Sequence, residues 1–117
     1  MNMTNEDWII EVGDEIIQKK ADQGKEKLSK WETLVYCLWV ADYGMRNAGD
    51  LDTAQDLYAD FKREGLEIAL TLGLKITEAA FALNKRELET RYFDVFDRMC
   101  DEVKAAKTPN TPLEPSR

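Results

Sequence analysis

The chain has 117 residues, 44% of them hydrophobic and 33% charged, and a formal net charge of −7. That length supports one domain able to bury roughly two-thirds of its unfolded surface, and the composition is globular rather than disordered. The negative balance sets the chain against nucleic acid backbones and anionic membrane surfaces, so neither is expected as a direct partner.

No basic stretch followed by an apolar one opens the sequence. The longest apolar run, Leu34 to Ala41, is eight residues, far short of the roughly 18 that mark a membrane span. A cytoplasmic protein is the expectation.

Helix starts are marked in chain order. Thr4 with Asp7 three residues on is a near capping box, and Met3 and Trp8 have staple spacing. Trp8, Ile9, Val12, Ile16 and Ile17 then share one face. Acids come early and Lys19 and Lys20 late, as the helix dipole favours, and Gly24 is the expected stop. Ser29 and Glu32 form a full capping box for a second helix, apolar on nearly every side from Leu34 to Ala41. Such a helix belongs in the middle of a bundle or in a subunit interface. The glycines, Asn47 and aspartates of the segment Asp42 to Asp50 predict an irregular turn or an interrupted helix end.

A third helix is predicted from Asp50 or Asp52, the latter with Gln55 as box partner. Its stripe is Ala54, Leu57, Tyr58, Phe61, Ile68, Ala69 and Leu72. Gly65 weakens the helix by roughly 1 kcal/mol relative to Ala, so a kink or break is expected there, and Gly73 is expected to end it. A short helix follows from about Thr77 to Leu83. The last begins at the box Asn84 to Glu87 and buries Leu88, Tyr92, Val95, Phe96, Met99 and Val103. Prolines at 109, 112 and 115 predict a disordered tail over 107–117. No segment alternates with period two. The prediction is therefore all-α: a single-domain bundle over 1–106, with four main helices and a short extra one. Trp31, Leu34, Val35, Leu38, Trp39, Leu57, Phe61, Tyr92, Phe96 and Met99 are its expected core.

Most catalytic chemistry lacks its residues. There is no histidine, which removes Ser-His-Asp and Cys-His catalysis, histidine metal sites and a Glu-x-x-His di-metal bundle. No phosphate-binding Gly-rich loop occurs. With 23 acids, carboxylate pairs arise by chance, and none is marked as an acid/base pair. Cys37 and Cys100 lie in apolar helical stretches and read as reduced core thiols. No enzyme, cofactor or metal is expected; an enzyme relying on carboxylates or Cys37 is the weakest alternative. Gly49 to Tyr58 resembles half a tetratricopeptide repeat, but no second copy exists at a period near 34.

Two sets of polar residues are candidates for binding. Asp42, Arg46 and Asn47, in the turn after the second helix, form either a recognition turn or a turn whose side chains satisfy its own backbone. Asp52, Asp56, Asp60 and Glu64 recur every fourth residue, which on one helix places them about 6 Å apart in an acidic ridge. Asp50 and Glu67 extend it at the ends, and Lys62 and Arg63 lie off the row.

One resemblance bears on the partner. Trp31-x-x-Leu34-x-Tyr36-x-x-Trp39-x-x-Asp42-Tyr43-Gly44-x-x-Asn47-Ala48-Gly49 resembles the core segment of acidic all-helical DNA-mimic proteins. In those, a tryptophan-rich helix runs into an Asn/Gly-rich turn. Arg46 and Ala48 depart from that turn, and no functional residue is carried over. The resemblance implies an acidic helical protein that binds a DNA-binding protein. The leading expectation is thus an interaction domain that binds a basic protein partner, of inhibitor, immunity or DNA-mimic type. The alternative is a homodimeric bundle joined through the apolar second helix.

Overall fold

Thr4 Oγ1 accepts the Asp7 amide at 3.0 Å, Ser29 and Glu32 bond each other's amides, and Asn84 accepts the Glu87 amide at 2.9 Å. Each of these bonds satisfies an amide that the first turn of a helix leaves free. In the computed structural model, which describes residues 3–107, the caps open α1 (Asn5–Gln23), α2 (Lys30–Ala48) and α6 (Lys85–Ala106). Between α2 and α6 run α3 (Asp52–Leu57), α4 (Phe61–Leu72) and α5 (Lys75–Ala82), and a 3₁₀ turn, Lys25–Lys27, joins α1 to α2. Among the described residues there is no strand. The tail expected over 107–117 lies, from residue 108 on, outside the described residues.

α2 is the central helix. It packs on α1, α3, α4 and α6, while α5 bridges α4 and α6. Leu34, Val35, Cys37, Leu38 and Val40 are fully enclosed, and Tyr36 nearly so. The neighbours that an all-round apolar helix needs are supplied by its own chain, so the homodimer expectation loses the surface on which it rested. The Trp31 indole closes the other end of the packing, donating to the Val103 carbonyl at 2.8 Å.

The helices depart from the sequence reading at several points. α2 does not break after Ala41: it continues through Gly44 to Ala48 and stops at Gly49, whose φ of 77° is left-handed. Gly44 serves close approach rather than interruption. A Cβ there would stand 3.0 Å from the Asp50 carbonyl oxygen and 3.1 Å from the Ala54 amide nitrogen. The third helix is two helices. Tyr58 is extended (φ −157°, ψ 94°), with its ring 5.3 Å from that of Tyr36, and the chain re-enters helix at Phe61. The break turns Phe61 inward against Phe81 and sends Leu57 outward, 47% exposed, so Leu57 is not core; Trp39 is only half-buried. Gly65, where a kink or break is expected, lies inside an unbroken α4, and its missing side chain leaves room for the Phe81 ring, which would be 3.0 Å from a Cβ there.

Glutamates of α6 reach the starts of α3 and α5. Asp52 does not cap α3. The Leu51 amide donates to Glu89 on α6 at 2.8 Å, and the Asp52 amide to Asp50 at 3.0 Å. α5 starts earlier than expected, with Glu102 of α6 accepting the Ile76 and Thr77 amides at 3.0 and 2.7 Å. Among the described residues no helix is long and apolar enough to cross a membrane.

Candidate functional site

The helix break at Tyr58 divides the acidic ridge. Asp50 precedes α3, Asp52 and Asp56 lie on α3, Asp60 precedes α4, and Glu64 and Glu67 lie on α4, so the four-residue spacing no longer describes one face. Cations also reach most of the row. Asp52 pairs with Lys85, Asp60 and Glu67 share Arg63 at 3.1 and 3.4 Å, and the inward-leaning Glu64 pairs with Lys25 at 3.3 Å. Arg63 is therefore central to the α4 half of the ridge rather than off it. Asp56 is exposed without an ion-pair partner among the described residues.

The candidate recognition turn is helix, and its two charges serve the core. Asp42 is 3% exposed; Arg46 Nε donates to its Oδ1 at 3.0 Å and the Tyr92 hydroxyl to the same oxygen at 2.7 Å. Burial holds the Asp42 carboxyl above the usual carboxylate range against the opposing pull of Tyr92 and Arg46. The Arg46 guanidinium lies 4.7 Å from the Phe96 ring centre and 5.1 Å from that of Phe93. The pair thereby ties α2 to α6. Asn47 donates to the Tyr43 carbonyl one turn back at 2.8 Å.

A groove between α1 and the second half of α2, of about 390 Å³, went unread in the sequence. Glu6, Ile10 and Asp14, each four residues apart, line its α1 side; Trp39, Tyr43 and Arg46 are prominent on its α2 side. Gly13 shapes it. A Cβ at Gly13 would fall 2.3 Å from Trp39 Cδ1, so the indole is seated directly on the α1 backbone. Trp39 also stacks between Tyr36 and Tyr43, ring centres 6.3 and 5.4 Å away, and Ile10 and Tyr43 remain 46% and 42% exposed. The bare Gly13 opposite a tryptophan-rich helix was the one sequence signal for this contact.

Two acids of α1 line the groove, Glu6 and Asp14, and α1 carries more acids beyond it. Asp7, Glu11, Asp14 and Glu15 are exposed and have no ion-pair partner among the described residues. Glu6 approaches Arg46 only at 3.8 Å, while Arg46 is held closely by Asp42. The helix dipole favours Glu6 and Asp7 in the first turn, but its influence fades before Glu11, Asp14 and Glu15. Folding tolerates these three acids rather than demanding them.

Cys37 and Cys100 are free and buried, and burial pushes each thiol up to about 12, so neither supplies thiolate near neutral pH. Among the described residues no three His, Cys, Asp or Glu side chains are grouped to hold a metal. No protein family, curated protein or solved structure matches this chain.

Proposed function

We propose that this chain is a non-enzymatic interaction domain that binds a basic protein partner through the acidic outer surface of α1. One observation carries the reading: Asp7, Glu11, Asp14 and Glu15 are exposed and uncompensated among the described residues, whereas most of the acids flanking α3 and on α4 hold cations of their own chain. Uncompensated charge on a rigid helix steers a complementary partner and fixes its register. The ridge over Asp50, Asp52, Asp56, Asp60, Glu64 and Glu67 is a weaker candidate, since a partner would first displace Lys85, Arg63 and Lys25. That the partner is a DNA-binding protein is what the resemblance of Trp31 to Gly49 to the DNA-mimic proteins implies; in this chain Lys30 to Ala48 of that stretch is one helix, ended by Gly49.

Reversal of charge tests the reading. Affinity capture from native lysate should retain a protein of high isoelectric point at low salt and release it at high salt, as screening of exposed charges requires. Glu11→Lys combined with Glu15→Lys should abolish that capture and leave the thermal midpoint unchanged, because both side chains are exposed. Asp56→Lys with Asp60→Lys serves as the comparison. Capture that survives the α1 reversal and fails with the second pair would move the site to α3 and α4.

A further inference from the structure

We propose that the α1–α2 groove is the anchor point of that partner and takes an arginine side chain from an exposed basic segment. The inference rests on the acidic-domain reading and adds to it a site and a residue type.

Size comes first. At about 390 Å³ the groove sits at the small end of ligand pockets, roughly 300–1,000 Å³, and admits a side chain or two rather than a helix. Its floor is aromatic, with Trp39 and Tyr43 stacked at 5.4 Å and Ile10 beside them, and its α1 margin carries Asp14 and Glu6. Flat aromatic surface next to a carboxylate suits a guanidinium better than an ammonium. The guanidinium plane stacks on rings while its forked donors bond a carboxylate, whereas lysine is a compact, strongly hydrated point charge.

Charge complementarity selects the occupant. The groove's own cation, Arg46, is committed to Asp42 at 3.0 Å and lies over Phe96 and Phe93. Asp14 is left exposed without an ion-pair partner among the described residues. Arg46 is also a worked example of the chemistry: a guanidinium held between a carboxylate and aromatic rings, on the same stretch of α2. A second arginine, brought by the partner, would repeat that arrangement one turn away, on Asp14, Trp39 and Tyr43.

The test uses the full chain and three fluorescein-labelled peptides of equal length, alternating glycine with arginine, lysine or citrulline, followed by anisotropy at low salt. The arginine peptide should bind several-fold more tightly than the lysine peptide, and the citrulline peptide should not bind. Asp14→Asn and Tyr43→Ala should each weaken the arginine peptide about tenfold, while Asp56→Asn, an equal loss of charge away from the groove, should change it less than about twofold. Asp14 is exposed, so Asp14→Asn should keep the wild-type thermal midpoint, while Tyr43→Ala, which loses its stacking on Trp39, should melt lower and still be folded at the assay temperature. Equal binding of arginine and lysine, with Asp14→Asn and Asp56→Asn equally harmful, would overturn the groove and leave the acidic-domain reading standing. Failure of both cationic peptides to bind would sink the two together. Tight binding of the citrulline peptide, or a dimer in light scattering that Tyr43→Ala dissociates, would assign the groove to an apolar segment or a second copy and overturn the arginine anchor.

Discussion

Gly13→Ala isolates the contact that builds the groove. In the interior of α1 the exchange should ordinarily stabilise the protein by about 1 kcal/mol, since glycine costs a helix that much relative to alanine. The structure opposes that gain. The new Cβ would stand 2.3 Å from Trp39 Cδ1 and 2.8 Å from Cγ, against the roughly 3.5–4.0 Å of an ordinary carbon contact. The indole must therefore retreat by more than 1 Å, leaving its stacking with Tyr36 and Tyr43. Overpacking of this kind costs about 1–3 kcal/mol. Trp39 is only half-buried and has room to give, which favours the low end of that range. The expected balance is a net loss of up to about 2 kcal/mol. Urea unfolding followed by circular dichroism measures it, with tryptophan fluorescence reporting the displaced ring. A variant more stable than wild type by the full helix-propensity gain would refute the seating of Trp39 on α1, and with it the shape of the groove.

Two further predictions concern the core and the acid limb of stability. Phe96→Ala should cost about 3–5 kcal/mol, whereas Leu57→Ala, at a site 47% exposed, should stay within about 0.5 kcal/mol; comparable losses in denaturant midpoint at both sites would mean that α3 turns Leu57 inward after all. Glu32 is drawn in opposite directions: burial raises its carboxyl, but the Ser29 amide and Lys19, each donating at 2.9 Å, outweigh burial and hold it below its ordinary 4.5. A depressed folded value means stability that is present above the unfolded value and lost as pH falls through the folded one. Glu32→Gln should therefore lower stability at neutral pH and flatten the loss on acidification. Parallel pH profiles for variant and wild type would show that the cap contributes no pH-dependent stability.

What the fold owes to local chemistry was legible, and what it owes to long-range contacts was not. Thr4, Ser29 and Asn84 cap helices with side chains that act three residues away, and Gly24, Gly49 and Gly73 end helices or lie just beyond them. Such information lies within one turn of the chain. α3 and α5 begin without a cap of this kind, and Glu89 and Glu102 of α6 do the work from 38 and 25–26 residues away. In sequence those two glutamates are merely polar positions of an amphipathic helix. Gly44 and Gly65 misled for the same reason. A glycine in a helical pattern signals either a break or a close neighbour, and only the placement of α3 against Gly44 and of Phe81 against Gly65 decides for the neighbour.

The site follows the same division. Spacing alone drew the acidic ridge, and spacing is valid only while the helix is continuous. One extended residue, Tyr58, separates Asp50, Asp52 and Asp56 from Asp60, Glu64 and Glu67, and on the second group Arg63 pairs at three- and four-residue spacing. Single residues of the groove were legible in sequence, Trp39 as a core aromatic, Tyr43 as part of the segment after the second helix and Asp14 as one acid among 23. Their conjunction was not, because it depends on which face of α1 meets α2. Gly13 sets that by letting the indole lie on the helix backbone. A larger residue at 13 would hold α1 and α2 apart and remove the exposed aromatic floor. The acids around it would then be an ordinary solvated helix face, and that is why charge alone could not locate a site in this chain.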